Sequence, residues 1–154
     1  MEISSPLTLA LAQCKPVAPD PPNILRSLLT VQDAVGYVPT DAVGYIARAL
    51  QVTEADVAGV LSYYPDLHRR PMGRHLIRVC MGESCVANDS PRVMRTFQEC
   101  LRIQLGETTQ DDRFSLEKVY CVGNCAVSPT VMIDGDVHGR VTPSQVETIL
   151  ENYK

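Results

Sequence analysis

Four cysteines stand in two close pairs: Cys80-Met-Gly-Glu-Ser-Cys85 and, after thirty-five intervening residues, Cys121-Val-Gly-Asn-Cys125. Thiols grouped in this way are ligands for a soft metal centre before they are anything else. The gaps differ, four residues inside the first pair and three inside the second. Four thiolates suit tetrahedral zinc or an iron–sulfur cluster. Zinc knuckles usually carry two-residue gaps, because a tight turn best sets the S–Zn–S angle, and gaps of four and three fit that less well. A [2Fe–2S] rhomb has two irons that each take a pair of sulfurs, a division that matches two pairs; which sulfur would bind which iron stays open. Gly82 and Gly123 lie inside the pairs, where the chain must curl back on itself.

The remaining thiols and imidazoles read differently. Cys14 falls in a proline-rich stretch and Cys100 inside a helical pattern, so both are expected as packed thiols rather than ligands. His68, His75 and His138 are isolated, and neither cysteine pair encloses a histidine, so a Rieske-type site is not expected. Asp111-Asp112, Asp134 and Asp136 sit in turn-like sequence and read as turn carboxylates.

The elements that would position the pairs follow from periodicity. Pro16, Pro19, Pro21 and Pro22 rule out regular structure over most of residues 13–22, and residues 1–22 are read as a flexible leader. A helix starts near Asn23, with Ile24, Leu25, Leu28, Leu29 and Val31 on one face and Gly36 as its stop. A second, capped by Thr40, carries Val43, Ile46, Ala47 and Leu50; a third opens at Thr53-Glu-Ala-Asp56 with Val57, Val60 and Leu61 inward. Residues 23–70 therefore read as a small antiparallel helical bundle. Beyond Pro71-Met-Gly73, His75–Cys80 is strand-like and ends on the first cysteine. Ser90-Pro91 starts a helix carrying Val93, Met94, Phe97, Leu101 and Leu105. Phe114–Tyr120 alternates and ends against the third cysteine; residues 130–133 and 137–141, joined by Asp134-Gly135, form a hairpin; Pro143 opens a last helix. Both cysteine pairs are thus expected on loops at strand ends. The order β-α-β-β-α makes residues 71–154 an α/β, thioredoxin-like domain.

Composition bounds the function. The chain has 154 residues, 45% hydrophobic content and a net charge of −4, with no basic run longer than Arg69-Arg70. Neither nucleic acid nor an anionic membrane is an expected partner. The apolar stretch from Pro6 to Ala12 is too short for a secretory signal or a membrane span. A cytoplasmic protein is expected, where paired cysteines more often bind metal than each other.

These residues together resemble one family. The Cys-x4-Cys and Cys-x3-Cys pairs, their separation, the preceding helices, the Tyr63-Tyr64 to Pro71-Met-Gly-Arg-His75 segment and Leu105-Gly-Glu-Thr108 are similar to the thioredoxin-like [2Fe–2S] ferredoxin subunits of complex I, NAD-linked formate dehydrogenases and hydrogenases. The resemblance spans about residues 23–152. It implies a [2Fe–2S] cluster held by Cys80, Cys85, Cys121 and Cys125. Two places depart from the family pattern: Ser62-Tyr63-Tyr64, where members often have Thr-Phe-Tyr or Ser-Phe-Tyr, and Asn88-Asp89, where many have a glycine. The run from Val119 to Pro129 with the following hairpin is most similar to gamma subunits of soluble, molybdenum- or tungsten-dependent formate dehydrogenases. The implied partners are a flavin- and NAD-binding subunit and a further iron–sulfur, molybdenum or tungsten subunit. The equivalent subunit of a bidirectional hydrogenase or of complex I is the nearest alternative.

The chain lacks a Gly-x-Gly-x-x-Gly after a strand, a Walker motif, a His-Glu-x-x-His and a nucleophile elbow. A one-electron centre without a substrate-site signature describes an electron carrier. The alternative of a different class is a zinc-stabilised, redox-silent interaction module on the same fold. For four-cysteine [2Fe–2S] centres of plant type the potential lies near about −400 mV, so a low potential is expected.

Overall fold

In the computed structural model, residues 6–13 and 23–153 are described. The chain divides into two compact units, Met1–Pro71 and Met72–Lys154.

The first unit is helical: α1 (Pro6–Gln13), α2 (Ile24–Val35), α3 (Thr40–Leu50) and α4 (Glu54–Tyr63). Each boundary has a local cause. The Asn23 side chain accepts the Arg26 N–H at 2.8 Å and starts α2. Gly36, at φ 87°, takes the left-handed conformation that ends it. At α4 the Thr53 hydroxyl accepts the Asp56 N–H at 3.1 Å, and the Asp56 carboxylate accepts the Thr53 N–H at 3.0 Å, closing a capping box. Leu28, Val31, Val38, Ala42, Ile46, Leu50, Val57 and Leu61 form the unit's core.

Three expectations change here. Pro6–Gln13 is a helix that buries Ala10 in the core, whereas the sequence reads it as leader; its leucines and alanines are good helix formers. Cys14 and the prolines that follow lie outside the described residues. Pro39 rather than Thr40 occupies the cap position of α3. Leu29 points away from the core and is exposed. It is adjacent to Leu28, and a helix turns about 100° per residue, so the two do not share a narrow face.

The second unit holds a four-stranded sheet in the order β2-β1-β3-β4, from β1 (His75–Cys80), β2 (Phe114–Val119), β3 (Val131–Ile133) and β4 (Asp136–His138). β1 and β2 are parallel, with His75 opposite Phe114 and Cys80 opposite Val119. β1 and β3 are antiparallel, as are β3 and β4. Asp134 at φ 52° and Gly135 at φ 101° supply the left-handed pair that a tight hairpin turn requires. Between β1 and β2 run the short α5 (Glu83–Ala87) and the longer α6 (Ser90–Leu101), and α7 (Val146–Glu151) follows a single 3-10 turn at Pro143–Gln145. Phe97, Val93 and Met94 of α6, Val146 and Leu150 of α7, and Ile77, Val79, Leu116, Val131 and Ile133 of the sheet make the core.

This is the mixed α/β, thioredoxin-like arrangement the sequence implies, with local differences. The helix from Ser90 stops at Leu101, so Leu105 is not on it and is exposed. Phe114, Ser115 and Leu116 are all buried, so β2 does not alternate at its start. The hydroxyl of Ser115 is satisfied there by the Gly73 N–H at 2.7 Å and by Thr108 at 2.7 Å. The last strand covers three residues rather than five.

Candidate iron–sulfur site

The parallel register of β1 and β2 brings the two cysteine pairs together. Cys80 is the last residue of β1, and Cys121 follows β2 by two residues. Cys85 lies within α5, not on a loop as the sequence suggests: Gly82 caps that single turn of helix, and Cys85 is buried on it. Cys125 opens a short 3-10 helix over Cys125–Val127. Cys80 and Cys85 are buried, while Cys121 and Cys125 are exposed.

The sulfurs meet as pairs. The Cys80 thiol acts on that of Cys85 and the Cys121 thiol on that of Cys125, and Cys80 is within electrostatic reach of Cys125. Among the described residues no group of three or more His, Cys, Asp or Glu side chains forms a site for a single metal ion. Burial, followed by the neighbouring Cys80 thiol, pushes the Cys85 thiol above the ordinary range. The Cys121 hydrogen bond and charge do the same to Cys125, with smaller additions from burial and Cys80. One donor is aimed at a sulfur as well. The Gly123 N–H donates to Cys121 Sγ at 3.3 Å. Thr130, whose hydroxyl donates to the Asn124 carbonyl at 3.5 Å, favours the Cys85 thiolate.

A close approach of the two loops completes the cradle. A Cβ on Gly82 would lie 2.6 Å from the Tyr120 carbonyl oxygen, so only glycine allows the first loop to pass the second at this distance. Gly82 has an ordinary φ of −70°; its requirement is space rather than conformation. Gly123 is the reverse, at φ 78° with open space around it.

Polar side chains tie the loops further. Ser84 donates to the Cys125 carbonyl at 3.4 Å and lies 3.2 Å from Ser128 Oγ. Asn88 Nδ2 donates to the Ser84 carbonyl at 2.8 Å and to Ser128 Oγ at 3.0 Å. Ser90, fully buried, donates to the Cys80 carbonyl. None of Ser84, Ser90, Ser128 and Thr130 stands out in the sequence; the departure at Asn88 is the one available signal, because an amide there can bridge what a glycine cannot.

The other candidates lie elsewhere. His75 Nδ1 is 2.6 Å from Asp134 Oδ2, His138 Nε2 is 2.9 Å from the Tyr153 hydroxyl, and Tyr153 donates to Asp136. The His68 N–H donates to Gln32 Oε1 in the helical unit. Asp111 accepts from Thr109 within its turn. Cys100 sits on an exposed position of α6 rather than a packed one. Partial burial of its sulfur, then the Glu147 and Glu99 carboxylates, pushes its thiol up.

The donor set is four soft, paired thiols, with the Gly123 N–H donated to Cys121 Sγ and no carboxylate or imidazole among the four, and it fits a cluster that carries extra negative charge on its sulfurs. A thioredoxin-like layer with such a site at the ends of its parallel strands defines a class of small iron–sulfur proteins. The chain matches the thioredoxin-like [2Fe–2S] ferredoxin family over residues 11–154 and belongs to it; its cofactor is a [2Fe–2S] cluster. The zinc-stabilised module is set aside by that membership.

The chain is 42% identical over 129 residues to one of the NADH-quinone oxidoreductase subunits of Pseudomonas aeruginosa, covering 84% of this chain and 78% of that one. It is 38% identical over 131 residues to HndA, a component of the NADP-reducing hydrogenase of Solidesulfovibrio fructosivorans, covering 85% and 77%. In structure it is similar to part of an NAD+-reducing [NiFe]-hydrogenase, with a TM-score of 0.68, 18% identity, and coverage of 84% of this chain and 22% of that one. This last likeness is one of fold. Among the described residues no helix is long and apolar enough to cross a membrane.

Proposed function

We propose that this chain is the electron-transfer subunit of a cytoplasmic, NAD-linked oxidoreductase complex, with Cys80, Cys85, Cys121 and Cys125 as the ligands of its cluster. The observation that carries this reading is the placement of the thiols as two pairs at the adjacent ends of parallel strands, one at the end of β1 and in α5, the other just beyond β2. Two irons, each needing two protein sulfurs, match two pairs. The deep pair and the exposed pair would give the cluster one side in the protein and one side toward a partner. The expected partner is a flavin- and NAD-binding subunit, since the chain itself has no dinucleotide motif and the relatives named above belong to NADH- and NADP-linked enzymes.

The finer reading is the gamma subunit of a soluble formate dehydrogenase, whose further subunit would carry iron–sulfur centres and molybdenum or tungsten. It rests on the resemblance of residues 119–129 and the hairpin after them. The equivalent place in complex I or in a hydrogenase is the second reading, and the identities of 38% and 42% to such subunits favour it.

Anaerobic purification with partners attached, followed by EPR of the reduced sample and assays of NAD+ reduction, separates these readings. A rhombic S = 1/2 signal of [2Fe–2S] type with formate-dependent NAD+ reduction supports the first. Hydrogen-dependent activity, or co-purification with a quinone-reducing membrane complex, supports the second. A colourless chain with no such signal overturns electron transfer altogether.

A further inference from the structure

We propose that the cavity between the end of α6, the start of β2 and α7 is a second binding site, which takes a small monocarboxylate with an apolar or aromatic body on Arg113. The cavity measures about 590 Å³, inside the range of roughly 300–1,000 Å³ usual for small-molecule sites. Leu101, Ile103, Phe114 and Leu150 give it an apolar wall, and two cations, Arg102 and Arg113, line it as well. Phe114 opens β2 and Cys121 lies just beyond that strand's other end, so the cavity stands roughly 20 Å from the cysteine pairs. The site does not rest on the cysteine ligand set.

Arg113 is the anchor. Its guanidinium carbon lies over the Phe114 ring, 4.6 Å from the centroid, a contact that restrains the group. Its Nε is buried and makes no hydrogen bond among the described residues. A buried donor in that position is costly and calls for an acceptor. The carboxylate that shares the cavity is committed to its own turn: Asp111 accepts from the Thr109 hydroxyl at 2.5 Å and from the Arg113 backbone N–H at 3.2 Å. It feels the Arg113 charge without forming an ion pair with the guanidinium. A guanidinium held over a ring keeps its N–H edge for a carboxylate, which can accept from Nε and one terminal nitrogen as a fork. The charge of Asp111, with Glu99 and Glu147 near Cys100, disfavours a phosphate or a dicarboxylate and leaves a single carboxylate as the matching anion. The apolar wall takes the rest of the molecule.

The test is an NMR titration of the full chain carrying its cluster, in wild type and Arg113→Gln. The probes are phenylacetate, its neutral counterpart phenylacetamide, and inorganic phosphate. The expected result is a saturable shift of the amides in residues 101–103 and 109–114 with phenylacetate. Binding of phenylacetamide to wild type, and of phenylacetate to R113Q, is expected to be weaker by about tenfold or more, as the loss of a charge-assisted hydrogen bond requires. The visible spectrum of the cluster should not change on saturation. Shifts that do not saturate, or that fall outside those residues, overturn the proposal. So does equal affinity for acid and amide, equal affinity of wild type and R113Q for phenylacetate, or tighter binding of phosphate than of phenylacetate. Should R113Q fail to fold, the comparison of acid with amide in the wild-type chain decides alone.

Discussion

Gly82→Ala isolates the close approach of the two cysteine loops. The added methyl carbon would stand 2.6 Å from the Tyr120 carbonyl oxygen and 3.7 Å from the Cys121 Cα, and the first of these is backbone that has no rotamer to change. Contacts of this kind are tight even at 3.0–3.4 Å, so the loops must part by roughly half an ångström or more. The backbone at Gly82, with φ −70° and ψ 158°, suits alanine, so no conformational cost confuses the result. Overpacking of this size costs about 1–3 kcal/mol. The displacement falls between Cys80 and Cys121, the residues that anchor the two pairs. Gly123→Ala is the contrasting variant, because open space surrounds it and its φ of 78° alone is at fault, at about 1–2 kcal/mol. Urea unfolding of the metal-free chain measures the stability loss, and visible absorbance after reconstitution measures cluster content. G82A is expected to lose stability in that range and to take up less cluster than wild type. G82A with wild-type stability and full cluster content would refute the argument that the loops touch through Gly82.

The ligand assignment predicts that Cys85→Ser and Cys121→Ser each lose or destabilise the cluster while Cys100→Ser keeps it, read by absorbance; bleaching in C100S with an intact C85S would reverse the assignment. In the core of the second unit, Phe97→Ala should cost about 3–5 kcal/mol, because Phe97 is wholly enclosed between α6 and the sheet, and a loss under about 1 kcal/mol by denaturant titration would contradict that packing. The Thr53 hydroxyl, then the Thr53 N–H, hold the Asp56 carboxyl below its usual value of 3.8, so the carboxylate contributes stability above that pH and the contribution fades as pH falls through the lower folded value. Asp56→Asn should accordingly be less stable than wild type at about pH 6, with the gap narrowing below about pH 3.8; a gap that stays constant through roughly pH 2–6 would count against the capping box.

Much of this was legible because it was periodic or paired. Asn23, Gly36 and Thr53 mark helix ends by chemistry that acts within one turn, and they lie where the sequence places them. The cysteines announce themselves by type and spacing. What the sequence hid was set by contacts distant along the chain. Pro6–Gln13 reads as leader because its helix shows no strong polar face, and burial of Ala10 by the other helices is a tertiary fact. Thr130 reads as an ordinary strand residue until the fold sets its carbonyl against the Cys80 N–H. Gly82 announces a turn, yet what it supplies is clearance for a carbonyl thirty-eight residues later.

The in-register pairing of β1 with β2 has a consequence for how this chain can vary. The thirty-five residues between the pairs do not measure out the site; the alignment Cys80 to Val119 does. Residues inserted into the irregular segment after α6, around Gln110–Asp112, lengthen the crossover and leave every sulfur in place. A single deletion within β2 would draw Cys121 back by about 3.3 Å and turn the strand's side chains over. The long gap is therefore slack and the strand is the gauge, so relatives that build this site are free to differ in the distance from Cys85 to Cys121 but not in the distance from Phe114 to Cys121.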